Sequence, residues 1–181
     1  MAPSGRCHFP GNGTGATGRV SSVRVEEVPA EVTYALRGAV LRPDGGDVEW
    51  VGDEDPATFH LGATLGDRVV GVVRFSPAPC PWRPLARAAW QLRGMATEPD
   101  VRGSGAGRAL LVEGLRRVAD RGGDVVWCDA RTSAAAFYER MGFTVVTGEY
   151  EKPGIGPHVG MLVDLVSGSV PAAAADGTRS S

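Results

Sequence analysis

The apolar residues of the chain change period several times, and each change marks an element. VSSVRVEEV (Val20–Val28) reads as a strand. Pro29 suits the first turn of a helix. In the AEVTYALRGAVLR that follows, Val32, Leu36 and Val40 recur at helical spacing. PDGGDVEWVGDEDP (43–56) is polar and turn-rich, a loop. ATFHLGATL and RVVGVVRF flank Gly66-Asp67, a short hairpin connection. SPAPCPWRP holds four prolines, too many for an internal strand. ARAAWQLRGMAT is strand-like, and Gly94 within it marks a bulge or a close backbone approach.

VRGSGAGRAL (101–110) opens the next helix. Leu110, Leu111, Leu115 and Val118 share one face of it, and Arg116, Arg117, Asp120 and Arg121 largely take the other. Gly122-Gly123 end it. DVVWCDA is a strand, SAAAFYERM a helix stopped by Gly142, FTVVTGEY a strand and GPHVGMLVDLV the last strand. A strand–helix–strand with short joints implies a parallel pair. The order predicts an α/β (α+β) fold with a mixed sheet.

Composition adds limits. The length of 181 residues suits one domain, expected over residues 21–167, with 1–20 and 168–181 read as disordered from their small and polar residues. The chain is 43% hydrophobic and 22% charged, ordinary for a globular protein. A net charge of −2 argues against a broad nucleic-acid surface. No apolar run approaches the roughly 18–20 residues of a membrane span, so neither nucleic acid nor membrane is expected as a partner. Cys7, Cys80 and Cys128 are scattered and form no CxxC, which suits a reducing cytoplasm and predicts neither a disulfide framework nor a metal site.

The chemistry lies in the alternating glycines Gly103, Gly105 and Gly107. A linker would sit between domains, and this stretch sits between a strand and an amphipathic helix. A phosphate loop fits better. Helix N-termini present unpaired N–H groups and a positive dipole end, and glycines keep side chains out of the way. Arg102 and Arg108 add charge. The Walker spacing is absent, and the third glycine comes one residue too early for a dinucleotide fingerprint.

Arg102-Gly103-Ser104-Gly105-Ala106-Gly107 resembles the Arg/Gln-x-x-Gly-x-Gly/Ala pyrophosphate loop of the GNAT superfamily, N-acetyltransferases that use acetyl-CoA. AAAFYERMGF (134–143), one helix and one strand later, resembles the superfamily's second signature. RGAVLRP, TFHLGA, QLRGMAT, WCDAR and PGIGPHVGM are similar to a bacterial subgroup of small uncharacterised acetyltransferases.

The resemblance implies a mostly antiparallel sheet with a splayed parallel pair, flanked by helices. It implies a CoA-binding site made of the main chain of Met95, Ala96 and Thr97 and the loop Arg102, Gly103, Ser104, Gly105, Ala106, Gly107 and Arg108. Arg131 stands where many members place an asparagine against the pantetheine arm. Tyr138 is the implied general acid, a packed aromatic being the alternative, with Phe137 the expected core residue. His158 is a candidate base or substrate contact. For the acceptor, an amine of a small molecule or a protein, the candidates are His60, Arg93 and Glu149. Arg93 would either meet an anionic group or pair internally with Asp129 or Glu139. A homodimer is implied by likeness to the superfamily. The rival reading is a non-catalytic acyl-CoA-binding sensor.

Overall fold

The computed structural model describes residues 22–165, and the expectations for 1–20 and 168–181 concern segments outside the described residues. Pro29 turns β1 (Val23–Val28) into α1 (Ala30–Leu41). β2 (Phe59–Leu65) and β3 (Arg68–Pro77) form the hairpin around Gly66-Asp67, and β4 (Ala89–Thr97) follows the proline-rich stretch. α2 (Ala106–Asp120) crosses over to β5 (Val125–Arg131). α3 (Thr132–Arg140), β6 (Thr144–Val145), β7 (Tyr150–Lys152) and β8 (Gly156–Asp164) complete the described chain.

The strands form one sheet in the order β1-β2-β3-β4-β5-β8-β6, with β7 also on β8. Among the described strands only β4 and β5 run parallel, and they pair only from Ala89–Gln91 to Val125–Trp127. Beyond that point β4 stays with β3 as far as Thr97, and β5 stays with β8 as far as Arg131. The facing edges of β4 and β5 therefore part into a wedge.

Gly94 takes φ +65, and the β3–β4 register slips between Val72 and Arg74, so β4 carries an extra residue there. A Cβ on Gly94 would also lie 2.4 Å from Trp50 Cζ3. The glycine thus meets both needs, a bulge and a close approach.

One sheet face packs on α2 and α3. Phe59, Leu61, Phe75, Leu110, Leu111, Leu115, Val118 and Met161 are buried there, as the helical stripe predicts. The other face carries α1, with Leu36 on Val72 and Ala96. Beside it the proline-rich segment buries Cys80 and sets Trp82 edge-on to Trp127.

Three details differ from the sequence expectation. Val32 is 40% exposed, and α1 buries Ala30, Thr33, Leu36 and Arg37 instead, because it covers a polar part of the sheet. FTVVTGEY splits into β6 and β7. Between them the Thr147 hydroxyl accepts the Gly160 N–H at 2.8 Å, a side chain replacing a ladder bond. β3 continues through Ser76 and Pro77, which pair with Gln91 and Trp90; the proline closes the strand and is tolerated at its end.

The tightest helix–sheet contact is at Gly114, where a Cβ would lie 2.1 Å from the Phe75 ring. Gly114→Ala gains helix propensity of up to about 1 kcal/mol but overpacks the core by about 1–3 kcal/mol. The expected result is a lower urea midpoint with an unchanged m-value.

Candidate active site

The glycine loop begins after a short 3-10 turn, Pro99–Val101, whose Val101 is buried. Gly103 and Gly105 take φ +87 and +88, and a Cβ on either would meet nothing within 4 Å. The loop is therefore left-handed and open above its backbone. Gly105 caps α2 without any side-chain bond, and the first turn holds no acidic residue. Positive potential at the helix start is left uncompensated from within. Gly107 has a different task. Its Cβ would lie 3.3 Å from Met95 Cε and 3.6 Å from Thr97 Cγ2, so its absence seats the helix end against β4. Arg102 and Arg108 are exposed and form no ion pair with a described residue.

Where β4 leaves β5, its backbone has an open edge. The Glu98 N–H donates to Val70 C=O at 2.9 Å. Alternation along the strand then turns Ala96 toward β3 and aims the N–H and C=O groups of Met95 and Thr97 into the wedge. Tyr138 enters from α3, 7% exposed, with its hydroxyl 3.5 Å from Met95 Sδ. Burial pushes its phenol pKa well above 10, so it keeps its proton at any physiological pH. Phe137 is only partly buried, so the expected order of the two aromatics is reversed. The cause is helix direction: α3 turns Tyr138 toward Phe143 and the sheet, and leaves Phe137 edge-on to it at the rim.

The α1 side of the wedge is polar. Arg131 donates from Nη2 to Leu41 C=O at 3.0 Å, tying the end of β5 to the end of α1. Arg93 pairs with neither Asp129 nor Glu139. Its guanidinium stacks on Trp50, 4.5 Å from the ring centroid. Burial, then the charges of Arg42 and Arg37, lowers its pKa. Asp129 instead accepts from the Tyr150 hydroxyl and from Lys152 Nζ, the latter at 2.5 Å.

His158, opposite Arg131 in the ladder, is buried and bonded through Nδ1 to Gly156 C=O at 2.7 Å. A carbonyl can only accept, so Nδ1 carries a proton, and in the neutral ring the lone pair is on Nε2. Glu149 stands exposed ahead of β7. Burial pushes the Cys128 thiol far up, so it stays neutral as a core residue.

His60 is not brought to the wedge. It is buried in a network that pins the 43–56 loop to the sheet. Arg37 Nη1 donates to Asp53 Oδ2 at 2.7 Å and to Val48 C=O at 3.0 Å. The Trp50 N–H donates to the same carboxylate at 3.0 Å, and Arg74 Nε lies 3.4 Å from Oδ1. Arg37 Nη2 lies 3.1 Å from His60 Nδ1. Arginine can only donate, so Nδ1 accepts and Nε2–H faces Asp53 C=O at 3.3 Å. Nothing local in the sequence points to Trp50, Arg42, Asp129 or Tyr150 as site residues. The one indirect signal is for Asp129, which shares a strand face with Arg131.

Open backbone between two diverging strands can take up an extended, amide-bearing ligand as if it were a further strand, and a glycine loop at the next helix start can take that ligand's phosphates. This is the architecture of an acyl-CoA acetyltransferase. Residues 27–143 match the acetyltransferase (GNAT) family, and the chain belongs to it. It is an acetyl-CoA-dependent N-acetyltransferase whose acceptor is unidentified. It is 33% identical to the uncharacterized N-acetyltransferase YitI of Bacillus subtilis (strain 168), over 79% of this chain and 97% of that protein. Its fold is similar to a Lactobacillus plantarum protein provisionally described as an N-acetyltransferase, with TM-score 0.66, 24% identity and coverage of 80% and 99%. It is also similar to an aminoglycoside 6'-N-acetyltransferase complexed with coenzyme A, with TM-score 0.63, 17% identity and coverage of 79% and 97%. No helix among the described residues is long and apolar enough to cross a membrane.

The buried network makes stability depend on pH. Burial pushes the Asp53 carboxyl up, but the Trp50 N–H and Arg37 outweigh it and hold the group below its ordinary 3.8. Burial first, then the Arg37 and Arg74 charges, push His60 below its ordinary 6.5. Both groups bind protons more readily in the unfolded chain. Their contribution is therefore complete above 6.5 and falls as His60, then Asp53, protonate on acidification. Asp53→Asn strands Arg37 and should cost about 3–5 kcal/mol at neutral pH. Urea unfolding across the acid range should show the gap to the parent narrowing as the parent's Asp53 protonates.

Proposed function

We propose that the wedge takes the pantetheine arm of acetyl-CoA, with Met95 and Thr97 pairing their main-chain groups to its amides while Ala96 stays on β3. The loop from Arg102 to Arg108 takes the pyrophosphate on its free N–H groups, and the two arginines add charge. The fit rests on the open space above Gly103 and Gly105, the start of α2, where the cap residue Gly105 has no side chain to bond, and the unpaired edge of β4. When bound, acetyl-CoA supplies the thioester carbonyl for direct attack by a neutral amine.

The chain's own residues handle the protons. Tyr138 holds a phenolic proton inside the wedge and gives it up where the thiolate departs. His158, whose Nε2 bears a lone pair, accepts the proton that the amine must lose. Arg131 acts on this slot as a tie between β5 and α1. The acceptor is an amine on a small molecule or a protein.

The observation that carries this reading is the Tyr138 hydroxyl beside Met95 Sδ, one residue past the bulge. Tyr138→Phe should cut kcat about 100-fold and leave acetyl-CoA affinity within about twofold, because a proton donor acts on the transition state rather than on ground-state binding. Turnover that survives the change would remove Tyr138 from the chemistry. Saturating acetyl-CoA should raise Tm by mass action; an unshifted Tm would instead reject the wedge as the donor slot.

A further inference from the structure

Three guanidinium groups gather at the C-terminal end of α1, on the face of the wedge opposite α2 and α3. Arg42 Nη1 and Arg131 Nη2 both donate to the Leu41 carbonyl, each at 3.0 Å. Arg93 lies close enough that Arg42 is the strongest charged influence on it. None of the three pairs with a carboxylate among the described residues. The two carboxylates nearest Arg93 are already engaged, Asp129 by Tyr150 and Lys152, and Asp53 by Arg37 and Trp50.

The local compensation is too small. A helix C-terminus offers about half an elementary negative charge, against three full positive ones. Arg42 and Arg131 are half-buried and Arg93 is exposed beside them; like charges repel, and an anion placed among them would relieve that repulsion. Guanidinium forks match a carboxylate in two-toothed geometry. The cofactor's phosphates are not the natural occupant, because the open N–H groups for them lie at the start of α2, reached from the other face. Trp50, seated against Gly94, has Arg37 4.2 Å and Arg93 4.5 Å from its ring centroid, and this stacking holds the Arg93 guanidinium in place.

Taking the wedge as the acyl-donor slot, as proposed above, we infer that the acceptor is an amine that also carries a carboxylate, held by Arg93 together with Arg42 and Arg131 on the α1 face. The carboxylate anchors at the arginines while the amine reaches past the bulge. Arg93 is then an acceptor-binding residue, and Trp50 positions its guanidinium.

The test uses the whole chain and two readouts. Thiol release from acetyl-CoA is followed with matched acceptors: α- and ω-amino acids against their amides and the corresponding simple amines. Peptides with a free N-terminus, acidic against neutral, distinguish a protein source of the carboxylate from a small molecule. Calorimetry of the same compounds against the CoA-saturated protein reads acceptor binding without turnover.

The carboxylates should exceed their amides by about tenfold or more in kcat/KM or in Kd, the scale of one charge-assisted pair. Arg93→Gln should erase that gap while acetyl-CoA affinity stays within about twofold, and Arg93→Lys should restore part of it. Amides or simple amines that match or exceed the acids in both readouts would overturn the inference. So would an Arg93→Gln variant that loses acetyl-CoA and keeps the acceptor preference. Failure of acetyl-CoA itself to bind would reject the donor slot instead, a separate and recognisable result.

Discussion

The unpaired edge of β4 is the constraint on which the site depends. A strand inside a sheet normally spends its N–H and C=O groups on two neighbours. β4 has β3 on one side throughout, but on the other side β5 accompanies it only to Gln91. The extra residue at Gly94 turns the strand away, and the crossover through α2 lets β5 follow β8 instead. Just past it, Met95 and Thr97 have polar backbone with no partner on that side among the described residues. A ligand that resembles a strand would satisfy them, and the start of α2 lies against the same stretch of β4 because Gly107 has no Cβ to hold it off.

The bulge also joins the two faces of the wedge. On one face Met95 meets Tyr138 and the helix start. On the other, the missing side chain of Gly94 admits Trp50, which brings the 43–56 loop over the strand. That loop is held by Asp53, buried among Arg37, His60 and Arg74. The groups proposed for the donor and those proposed for the acceptor are thus positioned by adjacent residues of one strand. A buried ion network of this kind contributes little net stability compared with a well-packed apolar core. Its value here is positional: it fixes a turn-rich segment that lacks the apolar residues to fix itself.

Much of this was legible along the chain. The Leu110–Val118 stripe, the Gly66-Asp67 hairpin and the ends set by Gly122 and Gly142 follow from local rules, because propensity and periodicity act over a few residues. The glycine loop was legible too, since its spacing is a local demand on backbone shape. Less legible was anything that depends on a partner distant in sequence. Val32 satisfies helical spacing yet faces solvent, because the surface under α1 is charged and takes Arg37 instead. His60 alternates as a cleft residue would, but Asp53 and Arg37 absorb it. Tyr138 and Phe137 are neighbours with similar apolar bulk, and only the seating of α3 on the sheet decides which one goes inward.

The amino-acid sequence by itself determined the order of strands and helices, the glycine-built loop at the start of α2 and the phenol carried on α3. Each is set by contacts within a turn or two of chain. Tertiary structure alone decided where β4 and β5 part, which backbone groups that leaves open, and which charges meet at the end of α1. Those depend on residues 30 to 90 positions apart, such as Arg131 and Leu41, brought together only when helices and strands pack. The proposed donor site is written mostly in the first kind of information, and the proposed acceptor site in the second.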